Sequence, residues 1–224
     1  YLRLFWEVDK NKIKSGDKWS FYSKGGKYRK WFGNLEYVID WSSEARKHYH
    51  KHSSARIIPR HIRFREGVTW TLITSSRQSF RYLPDYATFD KGGSSIFFHN
   101  SSHLKVSLLF LNTKICSYIT SIYNSTLNLQ VDDVRKLPLS PELLQISEDK
   151  YSRLIEISKN DWDSYENSRD FKSLSLISDE FLTGVLKESY HNLSFHWSEM
   201  ISEVMNLEED NNRTFLQAYS LEGD

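Results

Sequence analysis

Residues 63–97 read RFREGVTWTLITSSRQSFRYLPDYATFDKGGSSIF and predict a twisted β element around which the chain is organised. β-Branched and aromatic residues are dense over residues 69–79, and no charge occurs in that stretch before Arg77. Breaks are expected at Pro84 and again at Gly92–Gly93. The element places arginines among aromatic side chains, a combination suited to holding a phosphate backbone and reaching base edges.

Length and composition limit the class of protein. The 224 residues suffice for one large domain or two small ones, and a hydrophobic content of 39% can build a core. The single cysteine, Cys116, excludes an internal disulfide framework and is typical of a reducing compartment. No apolar run reaches the roughly 18 residues of a membrane span, and no signal peptide is visible. We therefore expect a cytoplasmic protein with no membrane partner, and the start at Tyr1 indicates a piece of a longer polypeptide.

The net charge of +1 conceals a strong asymmetry along the chain. Residues 1–112 hold 20 Lys and Arg against 9 Asp and Glu, whereas residues 113–224 hold 10 against 20. Such a split predicts a polyanionic partner, double-stranded DNA, for the first half only. The alternative is a solvated basic face that is matched by an acidic helical region of the same fold.

Hydrophobic periodicity predicts an α+β fold, with a mixed twisted sheet first and long amphipathic helices after it. We assign residues 1–140 to a DNA-binding domain and residues 141–224 to a helical spacer or packing region. Strands are expected at Leu2–Val8 and Leu35–Trp41, the latter with Leu35, Tyr37, Ile39 and Trp41 on one face. Helices are expected at Ser42–Ser54, Leu104–Tyr123, Pro141–Trp162 and Glu180–Asn206.

The candidate DNA contacts lie in three basic segments. In residues 23–34, SKGGKYRKWFGN, a glycine turn can offer bare amides to an anion among four cations. Residues 56–65, RIIPRHIRFR, form the most basic run. Residues 69–81 add hydroxyls and an indole beside two arginines, and arginine can contact guanine through two hydrogen bonds. The candidates are Lys24, Lys27, Arg29, Lys30, Arg60, Arg63, Arg65, Thr69, Trp70, Ser75, Ser76, Arg77 and Arg81.

Each of these segments also has a purely structural interpretation. The lysines around the glycine turn would then face only water. Trp70, Phe80 and Tyr82 would be core residues whose neighbouring arginines extend outward to solvent.

No catalytic constellation or metal site is predicted in these residues. His48, His50 and His52 are spaced by two, so a helix would not converge them on one metal ion. Asp132 and Asp133 are more typical of a helical first turn than of a metal site, because negative charge there suits the helix dipole. No glycine-rich nucleotide fingerprint and no Ser/His/Asp or Cys/His set stands out, so we predict no cofactor bound by this chain.

Several runs together resemble a known family. They are KGGKYRKWFGNLEYVIDW, FREGVTWTLI, SFRYLP, FDKGGSSIF, LLFLNTKICSYI, TLNLQVDDVRKLP and LEEDNNRTFLQAY. In this order they resemble the C-terminal part of PglX-type DNA methyltransferases of the BREX phage-defence systems, and they are similar to fused restriction–modification enzymes that methylate adenine. LLFLNTKICSYI and LNLQVDDVRKLP are also similar to an element of type I specificity subunits that closes a target-recognition domain and leads into a long helix.

The resemblance implies a parent enzyme that transfers a methyl group from S-adenosylmethionine to the exocyclic amine of adenine. The family's cofactor loop and Asn-Pro-Pro-Tyr motif are missing here, and no Asn-Pro pair occurs. Catalysis would therefore belong to another domain of the same polypeptide, and this piece would be the target-recognition domain that selects the DNA sequence. Other phage-defence proteins are possible partners. The alternative functions are a protein-interaction scaffold of a defence complex, with the acidic helices as its working face, and a nuclease fragment.

Overall fold

The computed structural model describes residues 1–53, 55, 57–75, 77–124, 126–140 and 142–221. The fold is α+β, as predicted, with the strands of two small sheets and an α-helix before residue 98 and helices after it. The predicted boundaries at Ser54 and Pro141, and Arg56 of the basic run, lie outside the described residues. The strands are β1 (Leu2–Leu4), β2 (Trp19–Ser23), β3 (Tyr37–Asp40), β4 (Gly67–Trp70), β5 (Phe80–Leu83), β6 (Ala87–Phe89) and β7 (Ser95–Phe97). The helices are α1 (Ser43–Lys51), α2 (Ser101–Leu111), α3 (Lys114–Tyr123), α4 (Val131–Arg135), α5 (Asp149–Asp163) and α6 (Leu186–Ala218).

The first sheet is mixed and has the order β1-β3-β2-β6. The pairs of β3 with β1 and β2 are antiparallel, whereas β2 and β6 are parallel. Alternation is seen within β3, where Tyr37 and Ile39 are half-buried on one face and Val38 is completely buried on the other. Val38 packs in an aromatic cluster with Phe5 and Phe21, which decides which face turns inward.

The second sheet is antiparallel and has the order β5-β4-β7. Its central strand, β4, is buried along its whole length, as expected for a strand covered on both faces. Residue Thr69 of β4 lies opposite Arg81 of β5. The two strands are joined by residues 71–79, so the predicted continuous β element is interrupted by a nine-residue connection.

The helix predicted at Leu104–Tyr123 is two helices that break at Asn112 and Thr113. The Asn112 side chain accepts from the Phe80 amide at 3.0 Å and donates to the Phe80 carbonyl oxygen at 3.0 Å, which ties the end of α2 to β5. The Thr113 hydroxyl then caps α3 by accepting from the Cys116 amide at 3.1 Å. A polar pair with these local partners therefore stops a helix that periodicity alone would continue.

The later helices are shifted relative to the prediction. A 3₁₀ turn at Leu143–Gln145 precedes α5, which begins at Asp149. The last helix begins six residues later than predicted and extends to Ala218. None of the helices in the described part of the chain combines the length and apolar character that crossing a membrane requires.

One apolar core joins the second sheet to the helices on both sides of residue 140. It contains Trp70 and Phe80 from the sheet, Leu108 from α2, Leu154 from α5 and Phe215 from α6, all at most 2% exposed. The first sheet has its own cluster, which Trp162 of α5 completes. The helical region after residue 140 therefore supports both sheets directly.

Candidate nucleic-acid interface

Strand β4 separates the predicted DNA contacts into two groups. Arg60, Arg63 and Arg65 precede β4, and Arg77 lies in the connection that follows it. Because β4 has four residues, about 13 Å of extended strand separates its two ends. We call residues 42–65 the arginine face, and residues 24–30 together with 71–79 the loop face.

The arginine face holds seven Lys and Arg and four His against a single acid, Glu44. The guanidinium of Arg63 lies 5.5 Å from the ring centre of Trp41, and its Nε donates to the Ile58 carbonyl oxygen. Burial lowers the pKa of Arg63, and the nearby charges of Arg46 and Arg60 lower it further. Crowded cations of this kind repel one another, so an anionic ligand would relieve the repulsion.

The backbone around the arginine face is fixed by local hydrogen bonds. The predicted helix is confirmed as α1, and the Ser42 side chain caps it by accepting from the Ala45 amide at 3.2 Å. Arg60 is exposed. Arg65 is half-buried and donates to the carbonyl oxygens of His61 at 3.2 Å and Phe98 at 3.1 Å.

The loop face begins with the predicted glycine turn. Gly25 and Gly26 have φ values of +86° and +133°, a backbone conformation that side chains rarely adopt. A Cβ on Gly25 would lie 2.8 Å from the Gly92 carbonyl oxygen, so this turn packs tightly against the second glycine turn. Lys24 and Lys27 project from it and are exposed.

Two other predicted cations of the loop face are paired with the helical region. Arg29 forms an ion pair with Asp161 of α5 at 2.6 Å, and Lys30 forms one with Glu208 of α6 at 2.6 Å. The indole nitrogen of Trp31 also donates to Glu208, at 2.8 Å. Acidic residues of the second half therefore neutralise part of the positive charge of the first half. This agrees with the alternative interpretation, in which an acidic helical region of the same fold matches the basic face.

Three of the predicted contacts are enclosed in the protein. Thr69, Trp70 and Arg81 are at most 1% exposed. Thr69 donates to the Gly93 carbonyl oxygen at 3.1 Å, and the Trp70 indole donates to the Leu129 carbonyl oxygen at 2.9 Å. In this conformation none of the three side chains reaches the surface. Their role is to hold in place the loops that form the surface.

Arg81 stabilises the loop face from inside the protein. Its guanidinium donates to the Arg29 carbonyl oxygen at 3.2 Å, to the Ser79 hydroxyl at 3.5 Å and to the Thr71 hydroxyl at 3.4 Å. Burial lowers the pKa of Arg81 to about 10; the charge of Glu36 opposes this, and that of Arg29 adds to it. It remains a cation at neutral pH, beneath a surface that carries further cations.

A cleft of about 770 Å³ opens beside the tip of the 71–79 connection. Among the described residues that line it are three cations, Lys30, Arg77 and Lys114, and one carboxylate, Glu208. Arg77 and Ser75 are exposed, whereas Ser76 lies outside the described residues. The remaining lining is rich in hydroxyl and carboxamide groups, from Thr74, Gln78, Asn112, Thr113, Ser117, Thr120, Ser121, Asn124, Thr126 and Asn212.

The α3 side of this cleft was not among the predicted site residues. Lys114, Ser117 and Ser121 recur at intervals of three and four between the apolar residues of α3, a pattern that marks one polar helix face. That pattern was visible in the sequence, but its position opposite Arg77 depends on how α3 packs.

The groups considered for metal binding have structural roles. The Asp133 carboxylate accepts from the Gln130 amide at 2.9 Å at the start of α4, which confirms the helical interpretation of this acidic pair. His48 stacks on Tyr1 with ring centres 4.8 Å apart. Among the described residues, no group of three or more His, Cys, Asp and Glu side chains is arranged to hold a metal ion.

Comparison with known proteins gives two informative similarities, while no family model matches the chain. Over 221 residues the chain is 34% identical to the adenine-specific methyltransferase BrxX of Escherichia coli O9:H4 (strain HS). Over 225 residues it is 30% identical to the adenine-specific methyltransferase PglX of Lacticaseibacillus casei (strain Zhang). Each match covers 95% of this chain and 18% of the relative. The chain is therefore similar, over nearly its whole length, to a segment of adenine-specific methyltransferases that makes up 18% of their length.

Proposed function

We propose that this chain is the DNA target-recognition part of an adenine-specific methyltransferase in a BREX-type phage-defence or restriction–modification system. The observation that carries the proposal is the 34% identity to such an enzyme over 95% of the chain. Exposed cations of the arginine face and the loop face that form no ion pair with another described residue, such as Lys27, Arg60 and Arg77, add independent support, because a duplex that is to be methylated presents a dense row of phosphates.

In this proposal the chemistry takes place in another domain of the same polypeptide. S-adenosylmethionine would supply the methyl group there, and this chain would bind neither the cofactor nor the reacting amine. The target adenine must leave the base stack before its exocyclic amine can react. The role of this chain is then to place the duplex in one register, so that only the adenine of the recognised sequence reaches the catalytic domain.

The proposed contacts differ in how directly they can act. Lys24, Lys27, Arg60 and Arg77 are exposed and would contact DNA without rearrangement. Half-buried Arg63 and Arg65 would use the guanidinium nitrogens that do not hold backbone carbonyl groups. Arg29 and Lys30 would first have to leave their carboxylates, whereas Thr69, Trp70 and Arg81 would support the surface from inside.

The proposal is tested by binding of the 224-residue chain to a random duplex, titrated over salt concentration. Each phosphate that Lys or Arg neutralises should contribute about −0.9 to the slope of log affinity against log salt. We expect a slope of several units, and we expect Arg60→Glu or Lys27→Glu to weaken binding and to reduce the slope. Lys172→Glu, at an exposed lysine of the acidic half, is the matched control and should bind as the unmodified chain does.

A chain that does not bind DNA at low salt, or binds with a flat slope, would contradict the proposal. Equal losses in Lys172→Glu and Arg60→Glu would also contradict it, because they would indicate a general effect of charge.

A second candidate function is a protein-interaction scaffold of a defence complex, and one observation favours it. Helix α6 exposes large apolar side chains, with Tyr190, Ile201 and Met205 each more than 60% exposed. Glu199 lies among them and is exposed, whereas Glu203 is already held by Arg153 through two hydrogen bonds of 2.6 and 2.7 Å. This function predicts that Ile201→Ser abolishes assembly with other defence proteins and leaves DNA binding unchanged.

A further inference from the structure

We propose that Arg77 is the base-reading residue of this chain, and that the base it selects is guanine. The inference rests on the proposed function and deepens it by separating the two basic surfaces. The arginine face would position the phosphate backbone, and the tip of the 71–79 connection would read the sequence.

Hydrogen bonds hold described residues of the 71–79 connection on both sides of Arg77. On one side the Leu129 amide donates to the Leu72 carbonyl oxygen at 2.9 Å, and the Thr74 amide donates to the Leu127 carbonyl oxygen at 3.1 Å. On the other side the Arg29 amide donates to the Ser79 hydroxyl at 3.3 Å. Specific recognition needs a side chain presented from a well-held backbone, and these contacts anchor residues that precede and follow Arg77.

The surroundings of Arg77 suit base edges more than phosphates. It takes part in none of the ion pairs between described residues, in contrast to Arg29 and Lys30 of the same face. Most residues that line the cleft with Arg77 carry neutral hydroxyl or carboxamide groups, whereas the charges of Arg46 and Arg60 act on Arg63. Such neutral donors and acceptors match the hydrogen-bonding edges of bases in the major groove.

Gln78 supplies a second, independent indication. Its Oε1 atom is shielded from solvent and accepts no hydrogen bond from the residues that the structure describes. A buried acceptor without a donor is unfavourable, so turning this carboxamide towards an amine presented in the cleft that Gln78 lines would relieve the cost. The exocyclic amines of adenine and cytosine are such donors, and guanine offers the paired acceptors O6 and N7 that an arginine fork matches.

The experiment is selection of duplexes from a random pool by the 224-residue chain, repeated with Arg77→Ala, Arg77→Lys and Arg60→Ala. We expect the unmodified chain to enrich a motif with guanine at one position. Arg77→Ala should lose the preference at that position by about tenfold or more and keep it elsewhere. Arg77→Lys should keep only part of this base preference, because an ammonium group lacks the two parallel N–H donors of a guanidinium group.

Arg60→Ala is the matched control, an exposed arginine on the other face. It should retain the whole motif, bind all sequences more weakly and reduce the salt slope by about 0.9. The same motif from Arg77→Ala, with a uniform loss of affinity, would make Arg77 a phosphate contact and overturn the inference while leaving the proposed function intact. Binding of the unmodified chain without base preference would also overturn it. Failure of the unmodified chain to bind at all would instead overturn the proposed function.

Discussion

The guanidinium of Arg81 lies under the loop face and donates to the backbone carbonyl oxygen of Arg29 at 3.2 Å. The two residues are 52 positions apart, and the contact joins β5 to the segment that follows the glycine turn. One buried cation thus holds the two loops that carry Lys27 and Arg77 on the surface. The conformation of the loop face and the positions of its exposed cations therefore depend on the same side chain.

Replacing Arg81 by alanine should lower the free energy of unfolding by about 2–4 kcal/mol, because it leaves a cavity and removes the donor of buried acceptors. Arg77→Ala, at the exposed tip of the same connection, should change it by less than about 0.5 kcal/mol. Urea denaturation of both variants measures the difference. Equal small effects would show that the Arg81 contacts contribute little.

Glu208 should contribute to stability because it accepts hydrogen bonds from both Lys30 and Trp31. We expect Glu208→Ala to lower the free energy of unfolding by about 1–3 kcal/mol, since it leaves a partly buried lysine and the indole without their acceptor. Glu209→Ala is the control, because Glu209 forms only an exposed pair with Arg213 within α6 and should cost less than about 0.5 kcal/mol. Chemical denaturation that ranks the two variants equally would contradict this role of Glu208.

The glycine turn should not tolerate a side chain. Gly25→Ala would place its Cβ 2.8 Å from the Gly92 carbonyl oxygen at a φ of +86°, and we expect a loss of about 1–3 kcal/mol in the free energy of unfolding. A Cβ on Gly184 would meet no atom within 4 Å, so Gly184→Ala serves as the control and should be neutral or slightly stabilising. The thermal midpoints of the two variants, measured side by side, decide the question.

Stability should fall in acid in a way that depends on Asp40. Burial acts to raise the pKa of Asp40, but hydrogen bonds from Lys18 and Ser42 outweigh it and hold the pKa below its usual value. A depressed carboxyl pKa gives stability that is present above the unfolded pKa of about 3.9 and is lost as the pH falls through the folded pKa. Over pH 7 to 3, Asp40→Asn should therefore lose less stability than the unmodified chain, and Asp179→Asn, at an exposed carboxylate, should behave as the unmodified chain does.

The Cys116 thiol should be unreactive in the folded chain. It is 1% exposed, and burial raises its pKa to about 12, although a hydrogen bond with Thr120 offsets part of the effect. Because the thiolate is the reactive form, a disulfide reagent at pH 8 should label Cys116 only after denaturation. Rapid labelling under native conditions would show that α3 opens locally.

Local patterns in the sequence predicted a substantial part of this fold. Ser42 or Ser43 as a cap, followed by Glu44, indicated α1, and the structure selects Ser42; capping depends only on neighbouring residues. Asp132 and Asp133 were predicted to start a helical turn, and they lie in the first turn of α4. The α+β class followed in the same way from apolar periodicity, which reports on each segment separately.

The sequence by itself thus determined the class of fold, the concentration of positive charge in the first half and the resemblance to adenine methyltransferases. Only the tertiary structure decided which cations are available to a ligand. Arg81 is buried and Lys30 is paired with a carboxylate 178 positions away, whereas Arg60 and Arg77 remain exposed at opposite ends of β4. The physical reason is that burial and ion pairing depend on contacts between residues distant in the chain, and no local pattern of charge or periodicity encodes them.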